Sequence, residues 1–253
     1  MKKKIGLFGF GKTGKAVANV ILNSNDFRLD WIIRNRVLLE HRSITEYLGV
    51  PSNIKAGKIY STENINIEEF LKSNPVDIII DFSSRTGIYV YGDAASKHHI
   101  KIISAISHYK KEDIEFIKKL SAETIVFWSP NITLGVNYLL YVSKLLKKIA
   151  PEVDIAVIEE HFKGKEGISG TAIKIAEALK LDNTRINSVR AGGIVGKHEV
   201  IFGFPFQTVR LIHESIGREA FGNGALFIAR HLPNLNNGYF NFQDILTPLF
   251  AVK

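Results

Sequence analysis

The chain has 253 residues, 45% hydrophobic and 23% charged, with a formal charge of +8 and no cysteine. That length buries a full core in one large or two small domains, and the lack of cysteine excludes disulfides and thiolate metal sites and points to a reducing cytoplasm. The lysines are scattered, with no basic stripe interleaved with aromatics, so the charge reads as attraction for anionic small molecules and not for nucleic acid.

The first residues, Met1-Lys2-Lys3-Lys4, are basic like the start of a leader peptide, but the apolar run that follows breaks at Gly9 and Gly11. A strand over Lys4 to Phe8 is expected in place of a secretory segment. Nowhere does an apolar run approach the length of a membrane span, so no membrane partner is expected. A helix is predicted over Lys15 to Asn23 and strands over Arg28 to Arg34, Asp77 to Phe82, Ile100 to Ser104 and Thr124 to Trp128. Helical patterns fill Ile88 to His98 and Lys111 to Leu120. Strands apolar on both faces, alternating with helices, predict βαβ units and a doubly wound parallel sheet.

Past Pro130 the pattern changes. A long amphipathic helix is expected over Leu134 to Ile149, a strand over Asp154 to Glu160 and a helix over Thr171 to Leu179. Strand-like runs at Ile186 to Ala191, Gly196 to Phe204 and Val209 to Glu214 predict a smaller α+β part with a mixed or antiparallel sheet. A last helix over Asn223 to His231 and a core-forming tail at Phe242 to Leu246 return to the first domain, giving expected domains of 1–128 with 219–253, and 129–218.

Gly9-Phe10-Gly11-Lys12-Thr13-Gly14 follows the first strand and opens a helix. Glycines in that place permit a tight turn and close approach of backbone to a pyrophosphate on the helix N-terminus, with Lys12 adding charge. A glycine-rich turn is also a common structural device; the strand–turn–helix setting favours dinucleotide binding. About 20 residues on, where a carboxylate would hold the ribose hydroxyls of NAD, stand Arg34-Asn35-Arg36. Guanidinium groups there suit a 2′-phosphate, so NADPH is the expected cofactor, with NADH possible as second choice. Asp81-Phe82-Ser83-Ser84 ends the next strand, where ligands meet an open α/β sheet, although its serines also serve as helix caps. Asn131 and Asn137, near the domain boundary, either orient ligands or cap the long helix. The stretch Glu159 to Ala172 puts His161, Lys163 and Lys165 ahead of Ser169-Gly170-Thr171, which opens a helix. Imidazole and ammonium beside a helix N-terminus suit a carboxylated substrate that must gain a proton.

With these motifs in order, the chain resembles the dihydrodipicolinate reductase family over nearly its whole length. The likeness runs through Gly9 to Gly14, Ile80 to Ser83, Asn131 to Asn137, Glu159 to Lys165, Ser169 to Ala172, Arg190 to Val200 and Phe221 to Ala225. It implies an N-terminal Rossmann domain, a C-terminal substrate and tetramerisation domain, and reduction of a cyclic imine dicarboxylate with NAD(P)H on the route to diaminopimelate and lysine. Carried over, the proton donor falls on His161, the essential lysine on Lys165, and the substrate-carboxylate clamp on Ser169, Gly170 and Thr171. The cofactor site falls on Gly9, Phe10, Gly11, Lys12, Thr13, Gly14, Arg34, Arg36, Phe82, Ser83, Ser104, Ile106 and Asn131.

Three positions depart from the family pattern. Phe162 stands where a second histidine is usual, Glu166-Gly167-Ile168 where Asp-Ala-Pro precedes the Ser-Gly-Thr, and Ser104-Ala105-Ile106-Ser107 where Gly-Thr-Thr-Gly is usual. All three fall in the substrate pocket. Two alternatives follow: an imine reductase of the same fold acting on a less polar heterocycle, and a non-catalytic NADP-binding regulatory protein, against which the retention of His161 and Lys165 argues.

Overall fold

The computed structural model describes residues 1–50 and 56–250; the last residues assigned to the nucleotide domain, 251–253, lie outside the described residues. The chain divides into two compact units, one formed by Met1–Ile132 with the chain from Phe221 onward, the other by Thr133–Ala220.

The first unit alternates β1 (Lys3–Phe8), α1 (Lys12–Leu22), β2 (Phe27–Arg34), α2 (Ile44–Leu48), β3 (Lys58–Ser61), α3 (Ile67–Ser73), β4 (Ile78–Asp81), α4 (Gly87–Lys97), β5 (Lys101–Ser104), α5 (Lys111–Leu120) and β6 (Ile125–Trp128). It closes with the chain after the second unit, through α8 (Glu219–His231), β11 (Gly238–Phe240) and α9 (Phe242–Phe250). All seven strands pair in parallel in the order β11-β6-β5-β4-β1-β2-β3. Being covered on both faces, the central strands are unbroken apolar runs, Ile5 to Phe8 and Ile78 to Ile80 among them. Trp31, Phe8, Tyr91 and Phe70 pack ring against ring beneath them. The strand order reverses between β1 and β4, which makes the carboxyl ends of those two strands the topological switch point.

Three elements between Asn35 and Val76, and β11, go beyond the sequence expectation. Helices of five and seven residues and strands of four and three show no periodicity that a window can detect. Their signals are local: Ser43 and Asn66 cap α2 and α3 with their side-chain oxygens.

The second unit contains α6 (Leu134–Ile149), β7 (Asp154–His161), α7 (Gly170–Ala178), β8 (Ile186–Arg190), β9 (Lys197–Phe204) and β10 (Gln207–Glu214). Its four-stranded sheet, ordered β10-β9-β7-β8, is mixed: β7 and β8 run parallel, the other pairs antiparallel. Ile155, Val157, Val200 and Phe202 face one side and pack with Ala172, Ile175 and Leu179 of the α7 segment and Leu139 of α6. That apolar face turns polar at the carboxyl end of β7.

Candidate active site

In the first unit the carboxyl ends of β1 and β4 hold two of the sequence motifs against each other. Gly9 has φ +93 and donates its N–H to the Ile33 carbonyl at 2.9 Å. A Cβ on Gly9 would lie 2.6 Å from the backbone of Phe82, and one on Gly14 would collide with the Gly9 carbonyl oxygen. Gly11 is different: it is exposed, and a Cβ there would meet nothing within 4 Å. It caps α1 without a side chain, and no acidic residue occupies the first turn. Two glycines are thus demanded by the protein's own packing, while the third leaves backbone open where a helix N-terminus attracts an anion. That cradle fits a pyrophosphate.

Around it, Lys12 is exposed, Thr13 half-buried and Phe10 buried. Phe10 packs on Tyr47, whose hydroxyl accepts from the Lys15 ammonium at 2.6 Å. Arg34, half-buried at the end of β2, donates to the Leu38 carbonyl at 3.1 Å, and Arg36 is exposed. Neither forms an ion pair with a carboxylate among the described residues. At the end of β4 the buried Asp81 accepts from the Ser83 N–H (2.8 Å), the Ser83 hydroxyl (2.6 Å) and the Tyr91 hydroxyl (2.9 Å). Burial without a cation pushes its carboxyl up to about 6, against those hydrogen bonds. Asp81 thereby fixes the turn that carries Phe82 and Ser83. Ser104 is buried with its hydroxyl 2.9 Å from that of Tyr109; the Ile106 carbonyl accepts from the Trp128 indole at 2.8 Å, and the Asn131 carbonyl from the Ser129 hydroxyl at 2.6 Å.

In the second unit, strand register assembles the site. Side chains two apart on a strand share a face. Glu159 and His161 therefore continue the face of Ile155 and Val157. Glu159 pairs with Ser188 on β8 and His198 on β9, and His161 pairs with Arg190. Five polar side chains meet on one sheet face. Glu159, fully buried, binds His161 Nδ1 through one oxygen; the other accepts from the Ser188 hydroxyl and the Arg190 guanidinium, each at 2.5 Å. Burial opposes its ionisation, but these partners outweigh burial and hold the carboxyl below its ordinary value.

His161 is 8% exposed. Burial pushes its imidazole down, Glu159 pulls it up, and the net position lies below the ordinary value. With Nδ1 facing Glu159, Nε2 is the ring nitrogen that contact leaves over. Gly196 leaves room for it: a Cβ there would lie 3.0 Å from Nε2. Arg190 also ties down the Lys165 loop, donating to the Lys165 carbonyl at 3.0 Å and the Gly167 carbonyl at 2.6 Å. The Lys165 N–H closes a turn onto the Phe162 carbonyl at 3.0 Å, and the residue, half-buried, forms no ion pair among the described residues. Ser169, 3% exposed, caps α7 by accepting from the Ala172 N–H at 3.1 Å. Gly170 is exposed with open space beside it, and Thr171 is half-buried. Phe162, at the position where the resemblance leads one to expect a histidine, is 47% exposed.

Sequence reading named His161, Lys165 and Ser169 but gave no role to Glu159, Ser188, Arg190 or His198. The available signal was alternation: the apolar face of β7 ends in Glu159 and His161, and a buried-face carboxylate demands partners from neighbouring strands.

A doubly wound parallel sheet with a glycine cradle at its switch point, in a chain whose second unit carries a carboxylate–histidine pair, defines an oxidoreductase that uses a pyridine nucleotide. The chain belongs to the dihydrodipicolinate reductase family. The family model for "Dihydrodipicolinate reductase, N-terminus" matches residues 3–132 and that for "Dihydrodipicolinate reductase, C-terminus" matches 135–246. The 4-hydroxy-tetrahydrodipicolinate reductase of Polynucleobacter necessarius is 30% identical over 272 residues, covering 96% of this chain and 98% of the relative. That of Wigglesworthia glossinidia brevipalpis is 29% identical over 244 residues, covering 93% and 89%. Among solved structures, the dipicolinate-bound dihydrodipicolinate reductase from Paenisporosarcina sp. TG-14 superimposes with a TM-score of 0.78 at 18% identity, covering 95% of this chain and 98% of that one. Among the described residues no helix is long and apolar enough to cross a membrane.

Proposed function

We propose that the protein reduces dihydrodipicolinate (4-hydroxy-tetrahydrodipicolinate) to tetrahydrodipicolinate in diaminopimelate and lysine synthesis, with NADPH preferred over NADH and the expected domain 129–218 holding the substrate. The observation that carries this reading is the buried Glu159–His161 pair on one sheet face with Lys165 in the adjoining loop. Gly9, Phe10, Gly11, Lys12, Thr13 and Gly14 cradle the cofactor's pyrophosphate, Arg34 and Arg36 take the 2′-phosphate, and Phe82, Ser83, Ser104, Ile106 and Asn131 serve the remainder. NADPH, when bound, supplies the hydride for the α,β-unsaturated cyclic imine.

The matching proton comes from His161 Nε2, so the substrate gains two electrons and two hydrogens in total. A neutral imidazole with its proton on Nδ1 toward Glu159 has only a lone pair at Nε2, so the donor form is the imidazolium. Burial disfavours that form, Glu159 favours it, and a substrate dianion favours it further. Lys165 pairs with a substrate carboxylate, and Ser169, Gly170 and Thr171 clamp it at the start of α7, where the helix dipole adds to the attraction.

Titration of both cofactors against the wild type and Arg34→Ala tests the preference. NADPH is expected to bind at least several-fold tighter than NADH, and Arg34→Ala to lose roughly ten-fold in NADPH affinity. Equal wild-type affinities contradict it. For the substrate, Lys165→Ala is expected to raise KM for dihydrodipicolinate; an unchanged KM removes the lysine from the clamp.

A further inference from the structure

The sheet face that carries Glu159 and His161 carries a second imidazole. His198 lies on β9 directly across from Glu159, 4% exposed, its ring edge-on to that of His161 with centroids 5.3 Å apart. Its Nε2 is 3.0 Å from the Ser169 hydroxyl, while its Nδ1 is buried with no partner among the described residues. Burial first, and then the neighbouring His161 and His213, push it down to about 4, so at neutral pH the ring is uncharged and carries one proton.

Two tautomers compete. With the proton on Nδ1, a buried N–H has no acceptor, and Ser169 must donate its only hydrogen to Nε2. With the proton on Nε2, the imidazole donates to Ser169 and a bare Nδ1 lone pair is left. Orphaned buried N–H groups are the rarer and costlier defect, so the second tautomer wins. Ser169 Oγ then accepts twice, from His198 and from the Ala172 N–H at 3.1 Å. A hydroxyl oxygen has two acceptor sites and one donor. With both acceptor sites filled, only the O–H remains, and it needs an acceptor outside this group.

We infer that His198 is a positioning residue that commits the Ser169 hydroxyl to donating a hydrogen bond to a substrate carboxylate. The inference rests on the reading of Ser169 as part of the carboxylate clamp. It gives the second imidazole of this sheet face a role through Ser169 and not in proton transfer.

Dipicolinate, a stable dicarboxylate, is the probe. Its Kd is measured by calorimetry on the NADPH-saturated protein for the wild type, His198→Leu, His198→Gln, Ser169→Ala and the Ser169→Ala/His198→Leu double variant, with melting curves for each. His198→Leu is expected to weaken dipicolinate roughly ten-fold, the scale of one hydrogen bond to a charged group. His198→Gln, whose amide N–H reaches the same oxygen, is expected to retain most of the affinity. The double variant is expected to bind no worse than Ser169→Ala alone, because one residue acts through the other. A weakened Ser169→Ala beside an unaffected His198→Leu, losses that simply add, or a glutamine no better than leucine overturns the inference alone. A wild type that ignores dipicolinate, or Ser169→Ala at full affinity, sinks the clamp itself and the role of His198 with it.

Discussion

As the proposed proton donor, His161 must hold a proton, yet it sits where burial works against charge. Glu159 resolves part of that conflict by facing Nδ1, and Arg190 and Ser188 keep Glu159 ionised. In Glu159→Gln the countercharge is gone, so the imidazolium is harder to form and the pKa of His161 drops further. The active form is the protonated one, so activity is lost as pH rises through that pKa. The falling limb of the pH profile of kcat/KM is therefore expected to move to lower pH in Glu159→Gln, with reduced activity at neutral pH. The change also leaves the guanidinium of Arg190 without its carboxylate, so a lower melting temperature is expected alongside. A falling limb at the wild-type position removes Glu159 from the proton chemistry.

At the scale of elements, each glycine of the first turn has its own reason. Gly14→Ala drives a methyl group into the Gly9 carbonyl, so both melting temperature and NADPH affinity are expected to fall. Gly11→Ala meets no protein atom at an ordinary helix-start conformation, so stability is expected to hold while NADPH affinity falls. Cofactor fluorescence titration and thermal melting separate the two; an unchanged affinity in Gly11→Ala argues against a phosphate at that turn. Much of this was legible in the sequence, because β1, α1, β4 and β5 announce themselves by continuous apolar runs and glycine punctuation. The short elements between Asn35 and Val76 were not, since runs of four to seven residues have no period to read. In the second unit the segment from Glu159 to Thr171 was legible as a local cluster of polar residues. Its partners were not, because Ser188, Arg190 and His198 reach Glu159 and His161 only through the pairing register of three strands, which sequence spacing does not encode.

At the scale of the whole molecule, β10 is an edge strand, and Phe206, Ile212 and Ile216 along and beside it are among the exposed large apolar residues. An uncovered edge flanked by apolar side chains favours association, and we expect a homotetramer formed through the second unit. Light scattering at micromolar concentration is expected to give a mass near four chains of 28.3 kDa; a single-chain mass contradicts the assembly. The net charge of +8 acts over the same scale, drawing an anionic cofactor and a dicarboxylate toward the protein.

The protein is a pyridine-nucleotide reductase in which, on the proposed mechanism, His161 supplies the proton. Steady-state turnover of dihydrodipicolinate generated in situ, followed by NADPH absorbance for the wild type and His161→Gln, tests it most directly. The account predicts a wild type that turns the substrate over and a variant whose kcat falls by about 10²–10⁴ with KM little changed. A wild type inactive on this substrate, with Phe162→His failing to rescue it, assigns the protein to another heterocycle; full activity in His161→Gln contradicts the mechanism itself.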